Sequence, residues 1–192
     1  MDFEDVIRSR RSVRKYQSDP IPDELLRELL ETACTAPSAV NYQPWYFVAV
    51  RSPEAMERLC AVMGRVTDTI EPGLKERFAK HPEVVSETTR FMRQLGGAPV
   101  CVLAFELKDT YEKTAGTIVQ SVAAAIENLV LAATNRGLGS CWLTAPVEAG
   151  VQNELRDMFA PEKGELVAVV TLGYPDQAPK APPRKDGRYI LI

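Results

Sequence analysis

Residues 120–136, QSVAAAIENLVLAATNR, constrain the fold more than any other stretch of this chain. The pattern predicts a helix with Val122, Ala125, Ile126, Leu129, Val130 and Ala133 spread around most of its circumference, closed by Gly137 as a C-cap. A helix apolar on so many sides needs cover on each of them. The 192 residues suffice for one domain, and one domain of that size hardly supplies all the cover, so a subunit interface is expected. No apolar run approaches the roughly 20 residues that cross a bilayer. The N-terminus also lacks the basic-then-apolar pattern of a signal peptide. A cytoplasmic location away from membranes is expected.

The remaining elements fall around this helix. Asp2 is an N-cap for a short helix burying Phe3, Val6 and Ile7. Pro22 opens a second helix whose Leu25, Leu26, Leu29, Leu30 and Ala33 recur at helical spacing, and Pro37 stops it. Trp45–Val50 reads as a strand, and Ser52 and Pro53 start a helix burying Met56, Leu59 and Met63. Residues 64–97 are polar and charged, with a helical patch near 84–95, and are expected to form a lid or insertion standing apart from the core. Strands follow at Val100–Phe105, Ser140–Leu143 and Leu166–Leu172, the last two separated by a helix from about Glu148 to Phe159. Residues 175–192 are Pro-rich with an apolar end and suit an extended arm that docks elsewhere. By alternation alone, strand and helix would build a parallel doubly wound sheet.

Absences narrow the chemistry. His81 is the only histidine, set in a charged segment, so His-dependent nucleophilic catalysis and His-ligated metals lack their central part. Cys34, Cys60, Cys101 and Cys141 are widely spaced and suggest reduced, buried thiols, not a metal or redox site. Gly137 and Gly139 begin a G-x-G, but Trp142 stands where the dinucleotide fingerprint needs glycine. A bound cofactor carrying its own reactivity is then the economical source of chemistry. Against a net charge of −3, residues 8–16, RSRRSVRKY, concentrate Arg8, Arg10, Arg11, Arg14 and Lys15. Paired guanidinium forks with a serine among them suit a phosphate dianion. A solvated basic helix end and a nucleic-acid contact are the other readings of the same residues, although the acidic chain offers no overall field for nucleic acid.

Three separated segments, R-R-S-V-R-K-Y at 10–16, A-P-S-A-V-N-Y-Q-P-W at 36–45 and G-L-G-S-C-W at 137–142, resemble the FMN-dependent nitroreductases. A weaker fourth is G-Y-P at 173–175 followed by Arg184 and Lys185. The resemblance implies an α+β fold, a mixed β-sheet flanked by helices, in an intertwined homodimer with FMN at the interface. It implies that Arg10, Arg11 and Ser12 hold the phosphate side of FMN, with Arg184 or Lys185 closing on the phosphate from the arm. Arg14 would face the flavin's pyrimidine edge, where a cation offsets charge gained on reduction. Pro37, Ser38 and Ala39 match a loop supplied by the partner subunit, pinned by Asn41 and Gln43. Leu143, Thr144 and Ala145 match the stretch passing the flavin ring, with Thr144 or the Ala145 N–H facing N5. The implied activity is ping-pong hydride transfer from NADH or NADPH to nitroaromatics, quinones or similar flat small molecules, with no side chain as catalytic acid or base. Dehalogenation, flavin fragmentation and simple flavin carriage would reuse the same residues.

Overall fold

The computed structural model describes residues 1–108 and 115–192, without the Ala115 side chain. In chain order the elements are α1 (Phe3–Ser9), α2 (Asp23–Ala33), β1 (Trp45–Val50), α3 (Pro53–Arg77), α4 (Pro82–Gln94), β2 (Val100–Glu106), α5 (Ala115–Asn135), β3 (Gly139–Leu143), α6 (Ala145–Glu148), α7 (Gln152–Phe159) and β4 (Leu166–Gly173). Capping chemistry sets several of these ends. The Asp2 carboxylate accepts from the Asp5 N–H, the Ser52 hydroxyl accepts from the Ala55 N–H, and Gly137 takes the left-handed φ of 75° just past α5.

The described strands form one sheet in the order β1-β2-β4-β3, every neighbouring pair antiparallel. The α+β architecture therefore replaces the doubly wound alternative. β2 and β3 run in the same direction with α5 between them in sequence, as a crossover would have it, but β4 inserts between them antiparallel to both. Among the described residues the parallel component of the sheet is a single bridge, Ser12 to Ser140, at the β3 edge.

Both faces of the sheet are covered, which is why its strands read as continuous apolar runs. On one face Cys101, Leu103 and Phe105 meet Leu59, Val62, Met63 and Val66 of α3 with Phe91 and Met92 of α4. On the other, Val102, Ala104 and Val170 meet Leu26 and Leu29 of α2 and Val122, Ile126 and Leu129 of α5. By length and composition alone α5 could cross a membrane, contrary to the sequence expectation, but its packing is that of a core helix.

Several expectations need correction. The 64–97 segment does not stand apart: α3 continues to Arg77, α4 returns beside it, and Val66, Phe91, Met92 and Leu95 are buried in the core. Its polar composition belongs to the outer faces, where Arg93 pairs with Asp68 and with Glu71 across the hairpin. The helix expected over 148–159 is interrupted, with Gly150 at φ 74° between α6 and α7. Phe3 and Ile7 are exposed, leaving Val6 as the buried residue of α1. Ile126 and Leu129 are fully buried within this one chain, so they report on the core. Cys34 is exposed, whereas Cys101 and Cys141 are buried.

Candidate functional site

The basic segment starts where α1 stops. The Arg10 N–H closes the helix on the Val6 carbonyl, and the Arg11 guanidinium turns back to the Arg8 and Arg10 carbonyls at 2.6 Å each. Arg11 thus caps the C-terminal end of α1, where a cation also complements the helix dipole. Arg10 approaches Glu127 of α5 at 3.9 Å. Beyond them the Val13 N–H donates to the Ser140 carbonyl at 2.8 Å, and the Tyr16 N–H to the Gly96 carbonyl at 3.1 Å.

Val13 and Tyr16 turn inward and are buried, while Arg14 and Lys15 face out. The Tyr16 hydroxyl donates to the Val13 carbonyl at 2.6 Å and lies 2.7 Å from Thr171 Oγ1. Burial pushes the phenol pKa far above its ordinary value, the Thr171 hydrogen bond opposing, so the side chain stays neutral and acts as a strut. Burial likewise raises the Cys141 thiol, with Arg14 and a Ser12 hydrogen bond pulling the other way. This thiol is not primed as a nucleophile.

Two glycines let this segment lie so close to the sheet. A Cβ on Gly139 would sit 2.8 Å from the Val13 side chain, which explains the second glycine of G-L-G-S. A Cβ on Gly96, at φ 64°, would sit 2.4 Å from the Arg14 carbonyl oxygen. Lys15 pairs with Asp176 at 2.5 Å and Gln17 N–H donates to the Tyr174 carbonyl, so the root of the C-terminal arm runs beside the basic segment.

The Arg14 guanidinium lies 5.9 Å from the centroid of Phe91 on α4. Beside this pair opens a cleft of about 850 Å³, lined by Arg14, Tyr16, Glu87, Arg90 and the arm residues Gln177 and Pro179 among others. Phe91, Tyr16 and Gly96 were not singled out from the sequence. Only the Gly96-Gly97 pair carried a usable signal, that of a turn.

The 37–43 loop is strained. Val40, Asn41 and Gln43 all have left-handed φ, at 48°, 56° and 51°. Its geometry is fixed by the Gln43 N–H donating to Ser38 Oγ at 2.9 Å, the Asn41 N–H to the Ser38 carbonyl at 3.1 Å and Gln43 Nε2 to Asn41 Oδ1 at 3.1 Å. Pro37 and Ala39 are exposed, and the Ala39 N–H reaches Ser121 Oγ on α5 at 3.3 Å. Ser121 and Glu127, the α5 contacts of this loop and of Arg10, lie about 120° apart around a helix of ordinary pitch. One chain therefore holds its loop and its Arg10 on different sides of α5.

At the end of β3, Leu143 is buried, and the Thr144 hydroxyl donates to Glu148 Oε1 at 2.9 Å. The Ala145 N–H, first in α6, has no partner in its own helical ladder. Arg184 and Lys185 lie in the arm, where every residue from 181 to 192 is exposed, and among the described residues neither forms a hydrogen bond or ion pair. The chain thus brings Arg10, Ser12 and Arg14 onto one segment beside the start of β3, holds the 37–43 loop against another face of α5, and leaves Arg184 and Lys185 exposed in the arm.

A protein of Methanothermobacter thermautotrophicus carrying the name NADH dehydrogenase/NAD(P)H nitroreductase is 32% identical over 180 residues, which cover 93% of this chain and 80% of that protein. Iodotyrosine deiodinase 1 of Rattus norvegicus is 26% identical over 193 residues, covering 96% of this chain and 66% of that protein. The crystal structure of a nitroreductase with bound FMN from Bacteroides fragilis superposes with a TM-score of 0.73 at 26% identity, covering 100% of this chain and 99% of the other. The family model described as the nitroreductase family matches residues 7–174, everything from the end of α1 to the root of the arm. With that match spanning the basic segment, the strained loop and the whole sheet, the chain belongs to the nitroreductase family.

Proposed function

We propose that the protein is an FMN-dependent NAD(P)H oxidoreductase of nitroreductase type, working as a cytoplasmic homodimer that passes electrons by a ping-pong sequence to nitroaromatics, quinones or similar flat acceptors. One observation carries the reading. Ser12 bridges Ser140 at the start of β3, Tyr16 bridges Pro175 just past β4, and the Arg14 carbonyl abuts Gly96 ahead of β2, so the fold lays the basic segment across one end of the sheet. Arg10 and Ser12 lie beside the start of β3 and Arg14 lies across the sheet's end from them, while Thr144 and Ala145 stand past the other end of β3. Thr144 lies four residues on from Ser140, about 13 Å at 3.3 Å per residue. The Arg10 guanidinium with the Ser12 hydroxyl suits the phosphate end of a flavin and Arg14, on the same segment, suits its pyrimidine edge, so the donor set fits the cofactor.

Bound FMN supplies an acceptor for hydride at N5, a reactivity no side chain of this site offers. The chain's own residues bind and orient. Arg10 and Ser12 hold the phosphate side, with Arg184 or Lys185 closing from the arm, and Arg11 keeps the end of α1 in place behind them. Arg14 stabilises the charge that reduction puts on the pyrimidine edge. Leu143 covers the ring, and the Ala145 N–H faces N5; the Thr144 hydroxyl is already committed to Glu148. The partner's Pro37, Ser38 and Ala39 complete the site, held in shape by the partner's Asn41. This supply in trans is supported by the placement of each chain's loop and its Arg10 against different faces of α5, about 120° apart. NADH or NADPH and the acceptor then use the exposed face in turn.

Acid precipitation of the purified protein should release flavin mononucleotide, and anaerobic NADH or NADPH should bleach the intact yellow protein. Colourless protein that also fails to quench added FMN fluorescence would sink the reading. Arg14→Ala should weaken FMN binding and lower its midpoint potential by about 30–60 mV, the two-electron equivalent of a lost charged hydrogen bond. Arg10→Ala should weaken binding with the potential unchanged. A potential that stays put in both variants removes Arg14 from the pyrimidine edge.

The likeness to iodotyrosine deiodinase 1 supports a second reading, reductive dehalogenation at the same site. Halide release from a haloaromatic under turnover separates the two.

A further inference from the structure

We propose that the cleft between α4 and the basic segment selects aromatic electron acceptors bearing a single carboxylate, and that Arg90 recognises that group. The proposal rests on the flavin reading, since Arg14 marks the flavin side of the cleft. Its volume of about 850 Å³ suits a small molecule. The charges around it are not equally available. Lys15 is held by Asp176, and Arg14 lies against the Phe91 ring. Of the two α4 arginines, Arg93 is fastened to Asp68 and Glu71 of α3 and fixes the helix. Arg90 is exposed, lines the cleft and enters no ion pair among the described residues.

Glu87 lies one turn before Arg90 on the same wall, also without an ion-pair partner among the described residues. This neighbour decides the class of ligand. A lone arginine would welcome the polyanionic diphosphate of a dinucleotide, whereas an Arg90 wall tempered by one carboxylate accepts a monoanion and disfavours higher charge. The anion is therefore placed on the acceptor and not on the nicotinamide donor. The carboxylate takes no part in the redox step. For a nitro acceptor, ArNO2 + NAD(P)H + H+ gives ArNO + NAD(P)+ + H2O: the donor loses a hydride, and the nitro group loses one oxygen as water.

The test compares 4-nitrobenzoate with 4-nitrobenzamide, close in shape and different in charge, by titration calorimetry on the protein as purified. At low salt the acid should bind roughly tenfold tighter than the amide, as one charged contact at an exposed residue allows. Arg90→Gln should abolish that preference and leave the amide unchanged, while Glu87→Gln should raise acid affinity a few-fold. Both positions are on the helix surface, so the variants should fold. Stopped-flow reduction by NADH should be the same in Arg90→Gln as in the parent. Equal binding of acid and amide by the parent protein, or an Arg90→Gln loss shared by both, overturns the proposal; so does slowed NADH reduction with acid affinity intact, which would assign the cation to the donor. Flavin content read on the same sample reports separately on the flavin reading, because the titration needs no turnover.

Discussion

Gly96→Ala should destabilise the protein by about 3 kcal/mol or more and strip it of most of its flavin, although the change adds one methyl group. The added Cβ would stand 2.4 Å from the Arg14 carbonyl oxygen and 2.8 Å from its carbonyl carbon, both backbone atoms, at a φ of 64°. The left-handed conformation alone costs about 1 kcal/mol. The rest comes from pushing Arg14 away from α4, which also breaks the Tyr16 N–H bond to the Gly96 carbonyl. For a chain of this size the melting temperature should fall on the order of 10 °C. Gly97→Ala is the internal control, with φ at 72° but nothing within 4 Å of the new atom. It should cost only the conformational share, about 1 kcal/mol. Denaturant midpoints that fall equally in the two variants would show that the close approach of Arg14 carries no weight.

Ile126→Arg should yield no folded protein. Ile126 is fully buried, facing Val102 and Val170 of the sheet in the α2–α5 layer. An arginine there would be an unpaired buried charge costing several kcal/mol, added to the lost apolar packing. A whole domain has only about 5–15 kcal/mol to lose. Val119→Arg, on the same helix but 46% exposed, should fold. Circular dichroism and gel filtration distinguish the cases, and a soluble, folded Ile126→Arg monomer would contradict the core placement of α5.

Local chemistry was legible in the sequence wherever it decides structure alone. Caps at Asp2, Ser52 and Gly137, the Trp45–Val50 strand and the apolar α5 all follow from neighbours a few residues apart. Long-range placement was not. An apolar run such as Val100–Phe105 reads the same whether β4 pairs with it from one direction or the other, because covering both faces removes the alternation that would reveal strand environment. The polar 64–97 segment misled for a related reason: its buried stripe is thin, carried by Val66, Phe91, Met92 and Leu95, while its ion-paired outer face dominates the composition. In the candidate site the basic segment and the G-L-G-S glycines were visible as types. The use of Arg11 as a helix cap, of Tyr16 as a strut and of Phe91 as a platform for Arg14 depends on residues brought close only by the fold.

The reach of those contacts also fixes when the site can exist. Tyr16 meets its Thr171 partner across 155 residues of chain, and Lys15 meets Asp176 beyond it. During synthesis on a ribosome the basic segment emerges long before either partner, and it has no strand edge to lie on until β3 and β4 are made. Cofactor loading therefore waits for β4, and a nascent chain arrested before β4 should carry a cluster of arginines with nothing to aim them.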